Sequence, residues 1–363
     1  MKLKMYLLII LLTFSFISCS QDTISNNYYS NKSPSKTFNV DIETVNQSKH
    51  GTIDNLTFDI SKVNDLSSKF QKLYEGSPSN EIFIENINQE IISTLDNIGF
   101  NEEIVYNHDQ KTKDNNLLFT KRSEFSEKED KTILLTTTYF NSNNKFNSKN
   151  ISMMFEILRL FENFKKGYNL SVLFINNSSN VYNSVDSSIN DILYLNIEAI
   201  IDLQLENTLN KVNVLELNKE SNLSSFIENS IKYNSFNFVN ISEVGNKTNL
   251  KNISSNNIDF IRIVSETNTN DMTKCANLIT TILADMLNKP EMPSISINDS
   301  VIRITLNLKN HNSTNKILYK INDGTYNEVD KNLSISFDDS INLELKIIDL
   351  FGNESNTLKL TLF

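Results

Sequence analysis

Residues 132–140 read TILLTTTYF and residues 170–175 read LSVLFI. Both stretches favour β-strands, and neither alternates between apolar and charged positions, so neither leaves one face in water. Strands that are apolar on both sides belong to a sheet that is covered on both faces. Between them, apolar residues recur at helical spacing, at Met154, Ile157, Leu158 and Phe161. This order predicts an α/β domain with a mostly parallel sheet and flanking helices.

The same alternation of elements extends across the middle of the chain. Apolar, strand-like runs lie at residues 116–121, 199–205, 212–217 and 258–264. Helical periods lie at residues 58–73, 81–97, 223–233 and 272–287. We therefore expect the α/β domain to span residues 58–289.

The N-terminus predicts a secretion signal over residues 1–18. Two lysines precede an apolar run at 5–17, which is too short to span a bilayer as a helix. Residues 16–19, FISC, resemble a bacterial lipobox in the relaxed form of spirochaetal lipoproteins, which implies acylation of Cys19. Several acyl chains give durable anchoring, because each buried methylene contributes about 0.8 kcal/mol. The alternative is an ordinary signal peptide with an incidental cysteine.

Residues 19–57 are rich in Ser, Asn, Lys and Thr and show no sustained periodicity, which predicts a flexible tether behind the lipidated cysteine. With Cys19 acylated, Cys275 has no partner for a disulfide within the chain. Cys275 falls in a helical period, where a small buried thiol is expected rather than a nucleophile.

Beyond Pro290 the helical period disappears. Short alternating strands, separated by turns at 322–324 and 352–353, predict a small antiparallel β-sandwich over residues 290–363. Residues 349–355, DLFGNES, resemble the D-x-x-G-N-x-S turn of bacterial immunoglobulin-like or fibronectin-like modules. That resemblance implies a fold much more than a function.

Composition excludes several classes of function. The chain has 34 basic and 44 acidic residues, a net charge of −10, and no long basic run, so we expect no nucleic-acid partner. It has only three histidines and two cysteines, far apart in the sequence, which disfavours a His/Cys metal cluster. It contains no G-x-S-x-G elbow, Walker loop or Rossmann glycine fingerprint.

Several segments of the α/β domain resemble, in order, the M28 family of zinc aminopeptidases. They are residues 133–142 (ILLTTTYFNS), 147–160 (NSKNISMMFEILRL), 171–184 (SVLFINNSSNVYNS), 199–205 (AIIDLQL) and 257–271. The resemblance covers roughly residues 80–287 as a match of spacing and hydrophobic pattern. It implies a zinc aminopeptidase-like fold, with the family's metal ligands at the ends of the strands.

The positions that would bind metal carry other residue types. The resemblance places the first histidine at Thr138, the bridging aspartate near Phe146 or Asn147, the paired glutamates at Asn177 and Ser178, and the last histidine near Ser265. Of the residues so placed, Asp202 alone keeps a ligand type, and its alternative role is to cap a loop or lie solvated at the rim. A single carboxylate with neutral amides cannot hold zinc tightly. The sequence therefore predicts no cofactor and no enzyme activity.

Three functions remain open at this stage. The first is a lipoprotein of the bacterial cell envelope, attached to the membrane through Cys19, whose inactive peptidase-like domain binds a peptide or protein. The second is a working metallo-aminopeptidase-like hydrolase with an atypical site. The third is a surface adhesin-type lipoprotein whose α/β domain only resembles a peptidase in pattern.

The lipid anchor makes a direct prediction. Cys19→Ala removes the thiol that would be acylated, so the protein should leave the membrane fraction and lose incorporation of labelled palmitate. Fractionation and labelling of cells that express each variant measure both effects, and Ser20→Ala serves as the neighbouring control. A Cys19→Ala protein that stays in the membrane fraction would show that the anchor lies elsewhere.

Overall fold

The computed structural model describes residues 40–45, 56–105, 116–122, 131–141, 145–162, 168–176, 181–206, 212–218, 220–233, 235–244, 250–287, 294–298, 301–305, 316–329, 332–336, 340–348 and 354–362. The predicted signal peptide, Cys19, Asn177, Ser178 and the three histidines lie outside these residues. Within the described part, no helix is long and apolar enough to cross a membrane.

The elements follow one another in an order close to the predicted one. They are β1 (Val40–Val45), α1 (Ile60–Gly76), α2 (Asn80–Asp96), β2 (Asn101–Val105), β3 (Asn116–Lys121), β4 (Thr132–Thr138), α3 (Ser148–Leu160), β5 (Asn169–Ile175), α4 (Val181–Ile189), a 3₁₀ helix (Asn190–Leu195), β6 (Ile197–Leu205), β7 (Val212–Glu216), α5 (Asn222–Tyr233), β8 (Val239–Glu243), α6 (Lys251–Ser255), β9 (Asp259–Ser265), α7 (Thr269–Leu287), β10 (Ser294–Asn298), β11 (Val301–Thr305), β12 (Lys316–Ile321), β13 (Asn327–Val329), β14 (Asn332–Ser336), β15 (Ile341–Ile348) and β16 (Thr357–Leu362).

The central sheet has eight strands in the order β2-β3-β5-β4-β6-β9-β7-β8. The four middle strands, β5, β4, β6 and β9, run parallel to one another. β3 joins this core antiparallel to β5, and β7 joins it antiparallel to β9. The predicted α/β class and mostly parallel sheet are confirmed.

Helices cover both faces of this sheet, because its central strands are apolar on both sides. Side chains of α1, α2, α3, α5 and α7 pack on one face, against strand residues such as Ile133, Leu135 and Ile201. Side chains of α4 and the 3₁₀ helix, with Ile253 of α6, pack on the other face, against Leu134 and Ile200. Cys275 of α7 is fully buried in the first layer, and burial raises the pKa of its thiol well above the usual value. Its environment is therefore that of a structural thiol.

Two antiparallel sheets lie beyond the α/β domain, as the sequence predicted. One has the order β1-β16-β15-β12-β13 and the other β10-β11-β14. They share one apolar core, in which Ile302 and Ile335 of the smaller sheet pack with Leu343 and Leu345 of the larger one.

β1 is a departure from the sequence analysis. It lies inside residues 19–57, which were predicted as a flexible tether, yet it pairs antiparallel with β16 from Val40↔Leu362 to Val45↔Thr357. The pairing satisfies backbone groups along the edge of the sheet, and this demand is independent of side-chain periodicity. Composition alone therefore did not signal the strand.

The carboxyl group of Asp285 makes the stability of the helical layer depend on pH. It lies on α7, where its Oδ2 accepts a 2.7 Å hydrogen bond from Ser230 Oγ of α5. Burial raises the pKa of its carboxyl to about 6, and the hydrogen bond from Ser230 acts in the opposite direction. The native chain therefore holds this proton more tightly than the unfolded chain does.

The free energy of unfolding should consequently fall as pH rises from about 4 to about 6. Asp285→Asn keeps an acceptor for Ser230 and removes the charge, so we expect stabilisation by about 1–2 kcal/mol at pH of about 7.5 and no change at pH of about 4. Urea unfolding followed by circular dichroism measures both values. The exposed Asp96→Asn variant is the control, and equal effects of the two variants would contradict the assignment.

Candidate functional site

The carboxyl ends of β4, β6 and β9 form a polar edge of the central sheet. On one face the side chains change from apolar to polar along each strand: Leu134 is followed by Thr136 and Thr138, Ile200 by Asp202 and Gln204, and Phe260 by Arg262. All of these polar side chains are buried. In open α/β sheets, ligands bind beyond the carboxyl ends of the strands. We refer to this region as the carboxyl edge.

A buried ion pair lies at the centre of this polar face. Asp202 and Arg262 are register partners on neighbouring parallel strands, and Arg262 Nε donates to Asp202 Oδ2. The two side chains are 0% and 4% exposed. Asp202 Oδ1 also accepts from Thr136 Oγ1 at 2.7 Å and from Gln204 Nε2 at 3.1 Å. Its carboxylate is therefore held by three donors.

Thr138 and Gln204 continue this network towards the edge. The hydroxyl of Thr138 lies 3.0 Å from Gln204 Oε1 and 2.8 Å from the carbonyl oxygen of Phe140. Asn150 Nδ2 is 3.5 Å from the same Gln204 oxygen, and Asn150 Oδ1 accepts from the Leu205 N–H at 2.6 Å. These contacts tie the start of α3 to the end of β6.

Local signals explain why α3 begins where it does. Asn147 is the N-cap, and its side chain accepts a hydrogen bond from the N–H of Asn150. Asn147 Nδ2 also donates to the Leu205 carbonyl at 2.7 Å. The helix therefore begins at Ser148, six residues before the first apolar position of its helical period, Met154, and its first turn buries the polar residues Ser148 and Asn150.

Phe146 anchors the turn between β4 and α3 in an aromatic cluster. Its ring stacks on Tyr74 of α1 at a centroid distance of 5.2 Å and meets Phe83 of α2 edge-on at 4.6 Å. Phe140 lies 6.1 Å away and pairs with Phe146 in an isolated antiparallel bridge. Nearby, Tyr139 donates from its hydroxyl to Asn88 Oδ1 at 2.8 Å, and burial raises the pKa of its phenol. Apolar packing thus occupies the position expected for a bridging aspartate.

Two glutamates, Glu206 and Glu266, directly follow the neighbouring strands β6 and β9 at the carboxyl edge. Glu206 and Glu266 follow the register partners Leu205 and Ser265, and the Glu206 N–H donates to the Ser265 carbonyl at 2.8 Å. Both glutamates are partly exposed. Their side chains bring two carboxylates to this edge, where Glu266 Oε2 accepts from Asn268 Nδ2 at 2.7 Å and Lys149 Nζ donates to the Thr267 carbonyl at 2.6 Å.

A buried amide lies at the end of β5. The N–H of Asn176 donates to Asn116 Oδ1 at 3.0 Å, and Asn116 Nδ2 donates to Ser188 Oγ. The side-chain Nδ2 of Asn176 is buried and has no hydrogen-bond partner among the described residues. Such a donor costs about 1–3 kcal/mol when it is left unsatisfied.

The structure brings together only part of the residue set inferred from the sequence. Thr138 and Asp202 join one network, but the contact of Thr138 is with Gln204, and Asp202 is neither solvated at the rim nor capping a loop. Ser265 instead directs its hydroxyl to the Asp271 carbonyl at 3.2 Å, while Asn177 and Ser178 lie outside the described residues.

Sequence reasoning missed Thr136, Gln204, Asn150 and Arg262. A usable signal existed, because Asp202 and Arg262 are charged residues inside the apolar runs of two buried strands, and residues two apart on a strand share a face. A buried charge needs a partner of opposite charge. Asp202 in β6 therefore predicts a nearby cation, and Arg262 in β9 predicts a nearby anion.

The donor set at the carboxyl edge does not fit zinc. Structural and catalytic zinc sites use histidine, cysteine and carboxylate ligands. Here Thr138, Gln204 and Ser265 offer neutral oxygens, and the Asp202 carboxylate is already bound to Arg262. Among the described residues, no group of three or more His, Cys, Asp and Glu side chains could hold a metal ion.

Comparison with solved structures identifies the fold of the α/β domain. The aminopeptidase LapA of Legionella pneumophila superimposes with a TM-score of 0.51 at 9% identity, over 64% of this chain and 73% of that one. A glutaminyl cyclase of Porphyromonas gingivalis gives 0.48 at 11% identity, over 63% and 99%. A leucine aminopeptidase precursor of Bacteroides thetaiotaomicron gives 0.48 at 10%, over 63% and 98%. No protein-family model matches the chain, and no curated protein matches it by sequence.

The α/β domain therefore has the aminopeptidase-like fold, as the resemblance implied. The further prediction that the chain is not an enzyme is wrong. The aminopeptidase LapA, which shares this fold with a TM-score of 0.51, is an enzyme, so the fold is one that enzymes use. The missing histidines concern the zinc ligands of one family, and they are not positive evidence of inactivity.

The Asp202–Arg262 pair predicts a large effect on stability. Asp202→Asn leaves a buried guanidinium without its counter-charge, so we expect a loss of about 3–5 kcal/mol. Lys131→Met breaks the partly exposed pair with Glu198 near the opposite end of β6 and should cost less than about 1 kcal/mol.

Urea unfolding of both variants measures the two losses. Arg262→Met combined with Asp202→Asn should cost less than the sum of the two single changes, because neither charge then remains uncompensated. Additive losses would contradict a direct interaction in the native state.

Proposed function

We propose that this protein is a lipid-anchored component of the bacterial cell envelope, and that its aminopeptidase-like domain recognises the N-terminal end of peptides or proteins at the carboxyl edge of the sheet. Cys19 provides the anchor. The two C-terminal sheets serve as a spacer or a second contact surface.

The observation that supports this proposal most directly is that two glutamates, Glu206 and Glu266, follow paired neighbouring strands at the edge where α/β folds bind ligands. Their negative charge suits the ammonium group at the start of a peptide. The aminopeptidase LapA superimposes with a TM-score of 0.51, and aminopeptidases are a class of enzyme that also engages this end of a peptide.

The buried polar groups at the same edge offer further contacts. Asn176 retains a buried donor with no described partner, which suits the carbonyl oxygen of a bound peptide. The closed network of Thr138, Gln204 and Asn150 holds the strand ends and the start of α3 in fixed positions. A rigid edge limits the entropy lost when a ligand binds.

The proposal is tested by placing a charge reversal at either end of one strand. Glu206→Arg lies at the carboxyl edge, and Glu198→Arg lies near the opposite end of β6. Binding of labelled short peptides to the full chain in detergent micelles should weaken about tenfold or more for Glu206→Arg and change less than about twofold for Glu198→Arg. Peptides with an acetylated N-terminus should bind the unaltered protein weakly.

Zinc content and release of N-terminal residues are measured on the same preparations. Turnover that Glu206→Arg removes would assign a hydrolase to this edge, whereas binding without turnover would assign capture of the peptide end. Equal binding by both charge-reversed variants, or no preference for a free N-terminus, would overturn the proposal.

A further inference from the structure

A groove runs along the outer side of α1. Its deeper part encloses about 390 Å³ between α1, the end of α2 and α3. A second depression continues along α1 and shares Asp65 and Lys69 with the first. From Lys62 to Lys72 the helix rises roughly 15 Å, so the groove is long enough for about three helical turns of a partner.

The floor of the deeper part is apolar. Phe155 of α3 is buried beneath it, and the partly buried Leu66 and Ile98 form its sides. Leu73 continues the apolar strip in the second depression. This surface suits aliphatic side chains that project from a partner.

The groove is lined by four cations, Lys62, Lys69, Lys72 and Arg159, against two carboxylates, Glu156 and the exposed Asp65, on a chain whose net charge is −10. Two of its cations are already paired: Lys69 with Glu90, and Arg159 with Glu156 at 2.6 Å. Within the described part of the chain, neither Lys62 nor Lys72 forms an ion pair, and both are exposed. The rim therefore attracts anions.

We propose that this groove binds an acidic amphipathic segment of a partner protein, with its apolar side chains on the floor and its carboxylates along the rim lysines. A planar anionic membrane would contact Lys62 and Lys72 but not the recessed floor. This surface is separate from the carboxyl edge, so the inference does not depend on the function proposed above.

The test uses synthetic helical peptides of about 15 residues in which leucine and glutamate recur three and four positions apart. Their binding to the full chain in micelles is followed by fluorescence anisotropy. Lys62→Glu with Lys72→Glu should weaken binding about tenfold, whereas Lys232→Glu with Lys251→Glu, both exposed and elsewhere on the domain, should change it less than about twofold. Circular dichroism verifies that both doubly substituted proteins are folded.

Thr94→Trp tests the floor independently of charge. Thr94 lines the deeper part from α2 and is partly exposed, so the larger side chain should fill the space and reduce peptide binding. Peptides with lysine in place of glutamate should not bind. The inference is overturned if no acidic peptide binds, if both double variants bind equally, or if only anionic vesicles or long-chain fatty acids respond to the Lys62 and Lys72 reversals.

Discussion

The ion pair between Asp202 and Arg262 sets the chemistry of the carboxyl half of the central sheet. Two charges within parallel, buried strands must be matched to each other and to hydrogen-bond donors, since desolvation would otherwise destabilise the fold. Thr136 and Gln204 complete the shell of Asp202, and Gln204 then contacts Thr138 and Asn150. One compensated charge thereby fixes the ends of two strands and the start of α3.

The four parallel strands of the α/β domain were accessible to sequence reasoning because burial on both faces leaves a continuous apolar run, whereas the edge strands β2 and β8 were not predicted. The start of α3 was less accessible, since its first turn buries Ser148 and Asn150 rather than apolar residues. β1 left no compositional trace, because its place depends on backbone pairing with β16. Local pattern therefore predicted the layers, whereas contacts between distant segments decided the boundaries.

In the candidate site, too, local pattern predicted some residues, whereas contacts between distant segments determined the others. Residue type drew attention to Asp202, but Arg262 lies 60 positions later and is connected to it only by the register of the sheet. Likewise, Glu206 and Glu266 become neighbours only when β6 and β9 pair. Resemblance to zinc aminopeptidases drew attention to the same edge, yet the inference from missing ligands to missing activity went beyond what those positions determine.

The pairing of β1 with β16 has a consequence for how the molecule is displayed. The last strand of the chain is held against a segment that lies close, in sequence, to Cys19. Under the lipid anchor proposed above, the chain that leaves Cys19 passes through the sheet of the C-terminal module, by way of β1, before it enters the α/β domain.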